Sequence, residues 1–157
     1  MIEFENKCAY FRGRINKEED HHHSGSMRLN VRRDCVFEDS FHQLRHRTTE
    51  EMRGRLNVQF QGEDGVDAGG LTREWYQVMA RAIFKEELAL FTSGGNGITF
   101  QPNPNSMIQN EGVDHLQYFK FVGRFVAKAL MDCQILDAYF TRPLYKHLLG
   151  EPLSYED

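Results

Sequence analysis

The chain is 157 residues long, 40% hydrophobic and 27% charged, with a net charge of −4 at pH 7. That is enough chain for one domain with its own core, and the acidic balance argues against nucleic acid or an anionic membrane as its main partner. No apolar run approaches the roughly 18 residues that a membrane span requires, and the opening stretch, MIEFENKCAYFRGR, has neither an apolar signal core nor a cleavage-like site.

In chain order, Phe4, Cys8, Phe11 and Ile15 recur at four, three and four, which predicts an amphipathic helix over 4–15. The polar stretch 16–26, NKEEDHHHSGS, predicts an exposed loop. Its three consecutive histidines, His21 to His23, cannot converge as metal ligands on a regular element. Arg28 to Arg32 alternates and predicts a short strand. Asp34 is then placed to cap a helix carrying Val36, Phe37, Phe41 and Leu44. Thr48 and Glu51 form a capping box ahead of a short helix through Met52. Leu56 to Phe60 alternates cleanly, with Leu56, Val58 and Phe60 inward and Asn57 and Gln59 outward, as in a half-buried strand. The seven arginines between Arg28 and Arg55 are interleaved with five carboxylates, which predicts a solvated mixed face.

Beyond residue 70, Leu71, Trp75, Val78, Met79 and Ala82 make one apolar helical face. Ser93 to Gly97 reads as a turn into a short strand, Ile98 to Gln101, ended by Pro102 and Pro104. The longest predicted helix spans Val113 to Met131, with Leu116, Phe119, Val122, Val126 and Leu130 as its buried stripe. Gly123 within it costs about 1 kcal/mol relative to alanine, which a close neighbour would explain. The last helix follows Thr141 and is stopped by Gly150 and Pro152. The predicted order is α, β, α, α, β, α, β, α, α. It makes an α+β chain, mostly helical with a few short strands, organised as one domain over 1–157.

The stretch GEDGVDAGGLTREW, residues 62 to 75, crowds four glycines before a tryptophan. Gly65 and Gly70 have the spacing of a phosphate loop and Thr72 stands at its hydroxyl position, but Leu71 stands where the lysine that meets the phosphates is needed. Glu63, Asp64 and Asp67 already crowd the positive end of the next helix, which disfavours a phosphate there. The structural reading is a turn that aims a helix. Gly62 and Gly65 supply positive backbone angles, Gly69 and Gly70 permit close approach, Asp67 accepts backbone N–H groups, and Glu74 and Trp75 ride on the helix.

Chemical motifs are absent. There is no G-x-S-x-G and no HExxH. His42 and His46 stand one helical turn apart, but no third ligand is placed beside them, so no metal is expected. The three cysteines, Cys8, Cys35 and Cys133, form no CxxC pair and fit a reducing cytoplasmic or nuclear setting. Cys35 lies near a helix start but is ringed by Asp34, Glu38 and Asp39, which oppose a thiolate. Cys8 and Cys133 read as small buried or half-buried residues. No cofactor is expected.

Four blocks together resemble one family: LNVQFQGEDGVDAGGLTREWY, FQPNPNS, HLQYFKFVGRFVAKAL and LDAYFTRPLYKHLLG. They look like the N-terminal lobe of the HECT domain of ubiquitin-protein ligases, from about Phe4 to Tyr155. The flavour is most similar to that of the very large ligases of plants, fungi and animals. The resemblance implies that ubiquitin passes from a conjugating enzyme to a cysteine thioester and then to a substrate lysine. It places that cysteine, and the subdomain that docks the conjugating enzyme, outside these residues. It therefore implies a scaffold without a catalytic residue, whose partners are ubiquitin, the conjugating enzyme and protein substrates. Some members bind a second ubiquitin on the outer face of this lobe. The matching positions are Leu56, Asn57, Ile98, Phe100 and Gln101, although Ile98 stands where some relatives have tyrosine. The alternative for Ile98 and Phe100 is plain core packing. The opening helix resembles a segment that stabilises or restrains the module in relatives, or simply packs Phe4, Phe11 and Ile15 on the lobe. The alternative for the whole chain is a non-catalytic helical protein-binding module, with ubiquitin as one candidate ligand.

Overall fold

The computed structural model describes residues 3–19, 25–63, 68–95, 97–109 and 115–156. Two strands, β1 (Ser26–Val31) and β2 (Arg55–Phe60), pair in parallel from Ser26 opposite Arg55 to Val31 opposite Phe60. Met27, Leu29 and Val31, with Leu56, Val58 and Phe60, are all buried. Alternate side chains thus line one face of the sheet. A parallel pair needs a crossover, and helices α2 (Val36–Leu44) and α3 (Thr49–Arg53) supply it. The capping box at α3 forms as expected, with Thr48 and Glu51 bonding reciprocally.

Helix α4 (Ala68–Ile83) returns along β2, where Val58 N donates to Thr72 Oγ1 at 3.3 Å. It buries Trp75, Tyr76 and Met79 completely. Helix α6 (His115–Met131) closes the core against α2. Phe37 and Phe41 meet Tyr118 and Phe121 edge to face at 4.6 to 5.6 Å, and Trp75 meets Phe125 at 5.4 Å. Edge-to-face pairs add to area burial by aligning ring quadrupoles. Arg124 donates to the carbonyls of Arg45 and Arg47, closing the end of α2.

A second sheet pairs β3 (Phe91–Ser93) antiparallel with β4 (Phe100–Pro102). Phe100 also bridges to Phe140, so Phe84, Phe91, Phe100 and Phe140 gather into a satellite aromatic cluster. The short helix α5 (Ser106–Gln109) follows β4, and helix α7 (Arg142–Leu149) follows the bridge. Thr141 is its N-cap residue without a side-chain cap bond, Pro143 sits in its first turn, and Gly150 ends it at φ +71°.

Several expectations need correction. Helix α1 runs from Phe4 to Glu19, so the exposed loop predicted over 16–26 begins in helix and ends in β1; Lys17 to Glu19 are good helix formers, and polarity alone does not stop a helix. His21 to His23 lie outside the described residues. Phe4 and Phe11 are exposed (70% and 43%), not packed on the domain. Cys35, not Asp34, holds the N-cap of α2, with no side-chain cap bond, because the helix starts one residue later than the capping reading requires. β4 spans Phe100 to Pro102 rather than 98–101, and β3 was hidden in what reads as plain lead-in to a turn. Helix α6 buries Tyr118, Phe121, Val122, Phe125, Lys128 and Ala129, whereas Leu116 and Leu130 are exposed. Of the expected stripe, Val122 is buried and Phe119 and Val126 are half-buried against the core; the aromatic face of α2 rotates the buried face toward Tyr118, Phe121 and Phe125, which leaves the two end leucines outside. No neighbour lies within 4 Å of a Cβ built on Gly123, so close packing does not explain that glycine.

Candidate functional site

Among the described residues, Arg33 links the two flanks of the glycine-rich stretch. Arg33 forks onto Glu63 at 2.6 and 2.8 Å and reaches Glu74 at 2.6 Å. Its guanidinium lies 4.1 Å above the Phe60 ring. It thus ties the end of β1 to both sides of the bend with the planar fork that suits arginine. Hydrogen bonds to Glu63 and then Glu74 push the Arg33 pKa up, and the same bond to Arg33 pulls Glu63 down. Gly62 adopts φ +80°, as the turn reading requires. Gly65 and Asp67 lie outside the described residues. Gly69 and Gly70 are exposed in the first turn of α4, so they do not mark a close approach by their burial. Glu74 takes part in the Arg33 clamp, and Trp75 Nε1 donates to Ser40 Oγ at 3.0 Å, leaving the buried indole satisfied.

A second polar knot lies in the core and was not foreseen. Lys128 is 2% exposed, donating to Gly54 O at 2.8 Å and to Asp132 Oδ1 at 2.7 Å. Asp132 Oδ2 accepts from the Tyr76 hydroxyl at 2.6 Å. Burial first, then the Asp132 carboxylate, drives the Tyr76 pKa upward, so the phenol stays a donor. The network joins α6, α4 and the turn before β2. At that turn a Cβ on Gly54 would lie 2.4 Å from Gly25 O, so only glycine lets the two strands start side by side. The available signal was a lysine inside an apolar helical face with aspartate four residues on.

The predicted contact residues divide between the two sheets. Leu56 is buried opposite Met27, and Asn57 is half-buried opposite Arg28. Phe100 is half-buried and stacks on Phe84 at 4.2 Å; Gln101 is exposed opposite Thr92. Ile98 is 64% exposed in the bend before β4. The core alternative for Ile98 and Phe100 thus holds in part for Phe100 and fails at Ile98, whose side chain is open to solvent, while Leu56, expected as a contact residue, is buried in the core.

All three cysteines are free. Cys133, expected to be at least half-buried, is exposed at φ +54° and accepts from Arg12 Nε at 2.9 Å. Cys8 and Cys35 are half-buried. Among the described residues no hydrogen bond joins a cysteine to a histidine, and no group of three His, Cys, Asp or Glu side chains is placed to hold a metal ion. No described helix is long and apolar enough to cross a membrane.

The family model of the HECT domain (ubiquitin-transferase) matches residues 77–157, which begin in α4 and take in the satellite cluster, α6 and α7. The chain belongs to the HECT-domain family. Relatives match over its whole length. E3 ubiquitin-protein ligase UPL2 of Arabidopsis thaliana is 60% identical over 157 residues, 100% of this chain and 4% of that protein. E3 ubiquitin-protein ligase HUWE1 of Mus musculus is 46% identical over 158 residues, 100% of this chain and 4% of that protein. E3 ubiquitin-protein ligase TOM1 of Saccharomyces cerevisiae is 40% identical over 159 residues, 100% of this chain and 5% of that protein. The chain thus spans about one twentieth or less of the HECT relatives it matches.

Proposed function

We propose that this chain is the scaffold part of the N-terminal lobe of a HECT-type ubiquitin-protein ligase. The observation that supports this most directly is identity of 60% across all 157 residues to a ubiquitin-protein ligase. In the proposed reaction a thiolate attacks the carbonyl carbon of ubiquitin held as a thioester on the conjugating enzyme, whose sulfur leaves. A lysine amine then attacks the new thioester and releases the thiol, which balances the transfer. The nucleophile is assigned to a part of the parent protein that this chain does not cover. The surroundings of Cys8, Cys35 and Cys133 agree, since none hydrogen-bonds to a histidine among the described residues that would serve as its base. The role of these residues is to hold a rigid core under the moving parts. The partners are ubiquitin, a conjugating enzyme and protein substrates, and the setting is the cytoplasm or nucleus, where free thiols persist.

The test mixes the chain with ubiquitin-charged conjugating enzyme and resolves the products without reductant. No thiol-reducible ubiquitin adduct on this chain is expected. An adduct on Cys8, Cys35 or Cys133 overturns the assignment. An outer-face ubiquitin contact centred on Ile98, with Phe100 and Gln101 of β4 next to it in sequence, is supported by the exposure of Ile98; Asn57 belongs to the other sheet. Titrating labelled ubiquitin against wild type and Ile98→Ala tests it, and equal binding by the two ends it.

A further inference from the structure

The outer edge of β1 is closed at one end and open at the other. Gly25 O accepts from Arg55 N at 3.1 Å and Val31 O from Gln61 N at 2.9 Å. The odd-numbered residues from Gly25 to Val31 therefore turn their backbone groups toward β2, and the even-numbered ones turn theirs away. Asn30 N donates to Gln43 Oε1 at 3.2 Å, and Asn30 O accepts from Gln43 Nε2 at 2.7 Å. Arg32 N donates to Asp39 Oδ2 at 2.8 Å. The Gln43 amide thus stands where a third strand would pair. Ser26 and Arg28 have no such substitute: among the described residues, no hydrogen bond reaches the outward N–H or C=O of either. The edge of β2 differs, because Thr72 of α4 covers it at Val58.

The open stretch borders a groove of about 540 Å³ lined by Gly25, Ser26, Met27, Arg28, Arg47 and Glu51. Arg47 and Glu51 pair with each other at 2.8 Å, and Glu51 also accepts from Thr48 N at 2.7 Å. Arg28 is therefore the lining charge left without an ion-pair partner among the described residues. On the outward face of the sheet, Ser26, Arg28 and Asn30 stand beside Arg55, Asn57 and Gln59. The charged members of that face are two exposed arginines, with no carboxylate among them.

We propose that β1 is a docking edge, extended at Ser26–Arg28 by a strand of a protein partner that carries a carboxylate opposite Arg28. Outward backbone groups two residues apart are met by an extended chain, whereas a helix has already bonded its own groups internally. The partner side chain opposite Arg28 shares the outward face, where a carboxylate makes a cross-strand pair. Its neighbours point the other way, toward Met27 and the Arg47–Glu51 pair. A second copy joined in antiparallel register would instead gather four arginines on one face, which like-charge repulsion disfavours.

The test pans a displayed library of eight-residue linear peptides against the 157-residue chain. The enriched peptides are expected to share an Asp or Glu within an alternating, extended pattern. N-methylating the peptide amides one at a time is expected to weaken binding about tenfold at every second position and to leave the positions between unchanged. Arg28→Glu is expected to weaken binding about tenfold, and a peptide with its acid changed to lysine to regain it. Ser26→Pro removes an outward N–H at the first residue of an edge strand, where proline is tolerated, and is expected to weaken binding likewise. Both variants are checked for an unchanged melting curve, and the N-methyl series reads the same pairing on wild type alone. The amide resonances of Ser26 and Arg28 are expected to shift on titration. No enriched peptide, affinity indifferent to N-methylation or to Arg28→Glu, or shifts confined to another surface overturns the proposal. Self-association that Ser26→Pro abolishes, without peptide binding, also overturns it in favour of a second copy. None of these outcomes depends on ubiquitin transfer, so this proposal and the ligase reading fail separately.

Discussion

Replacing Lys128 with methionine removes the buried ammonium while keeping most of its volume. Lys128 donates to Gly54 O and Asp132 Oδ1 and is 2% exposed. Breaking a buried ion pair by removing one member typically costs about 3–5 kcal/mol. Asp132 softens that loss, because its side chain is 25% exposed and keeps the hydrogen bond from Tyr76. Gly54 O loses its side-chain donor, which keeps about 1–3 kcal/mol of that loss in place. Together these place the loss near ~3 kcal/mol. A native domain has only about 5–15 kcal/mol in all. With a urea slope of about 2 kcal/mol per molar, the midpoint falls by about 1.5 M. Trp75, the single tryptophan and fully buried, reports the transition by fluorescence, with circular dichroism as the second probe. The double variant Lys128→Met/Asp132→Asn leaves no lone carboxylate and is expected to recover about 1 kcal/mol. A midpoint for Lys128→Met within about 0.3 M of wild type would refute the reasoning, because desolvation of the ammonium would then cancel its bonds.

Two glycine replacements are expected to move stability in opposite directions. Gly123→Ala meets nothing within 4 Å and should gain about 1 kcal/mol from helix propensity, whereas a loss on melting would reveal a contact at that surface. Gly54→Ala drives a Cβ to 2.4 Å from Gly25 O and should lose about 2–3 kcal/mol; a neutral result would mean that the strand starts separate freely. Arg32 holds the Asp39 carboxyl down at about 2, below the ~3.9 of an unfolded chain. The Asp39 contribution is therefore complete above about pH 4 and disappears as pH falls through about 2. Asp39→Asn should flatten that limb of the stability–pH curve, and parallel curves for variant and wild type would contradict it. Cys133 is exposed and Cys8 and Cys35 half-buried, so a thiol reagent should label Cys133 first, by mass spectrometry of peptides; equal rates at all three would place Cys133 under cover.

The family blocks were legible because they join special backbone needs to core aromatics. LNVQF became β2 with the faces expected, and Thr48 with Glu51 became the capping box. Trp75 was read as core and is fully buried. The candidate contact surface was less legible. Leu56 and Phe100 look alike as apolar residues of short strands, but they belong to different sheets, and no local pattern says which strands will pair. Cys133 reads as small and half-buried, yet it lies just past the end of α6 at Met131 in a left-handed conformation and is exposed.

What the residues settled alone was periodicity, capping and turn chemistry, because these depend on neighbours within about one helical turn or one strand pleat. That was enough for the α+β class and for the order of elements apart from β3 and α5. How far the buried face of α6 is rotated toward Tyr118 and Phe121 depended on Phe37 and Phe41, about eighty residues away. The same holds for Lys128, whose partner Gly54 O lies across the chain. Long-range packing chooses among faces that local energetics leave nearly equal, and this is why only the folded arrangement decided them.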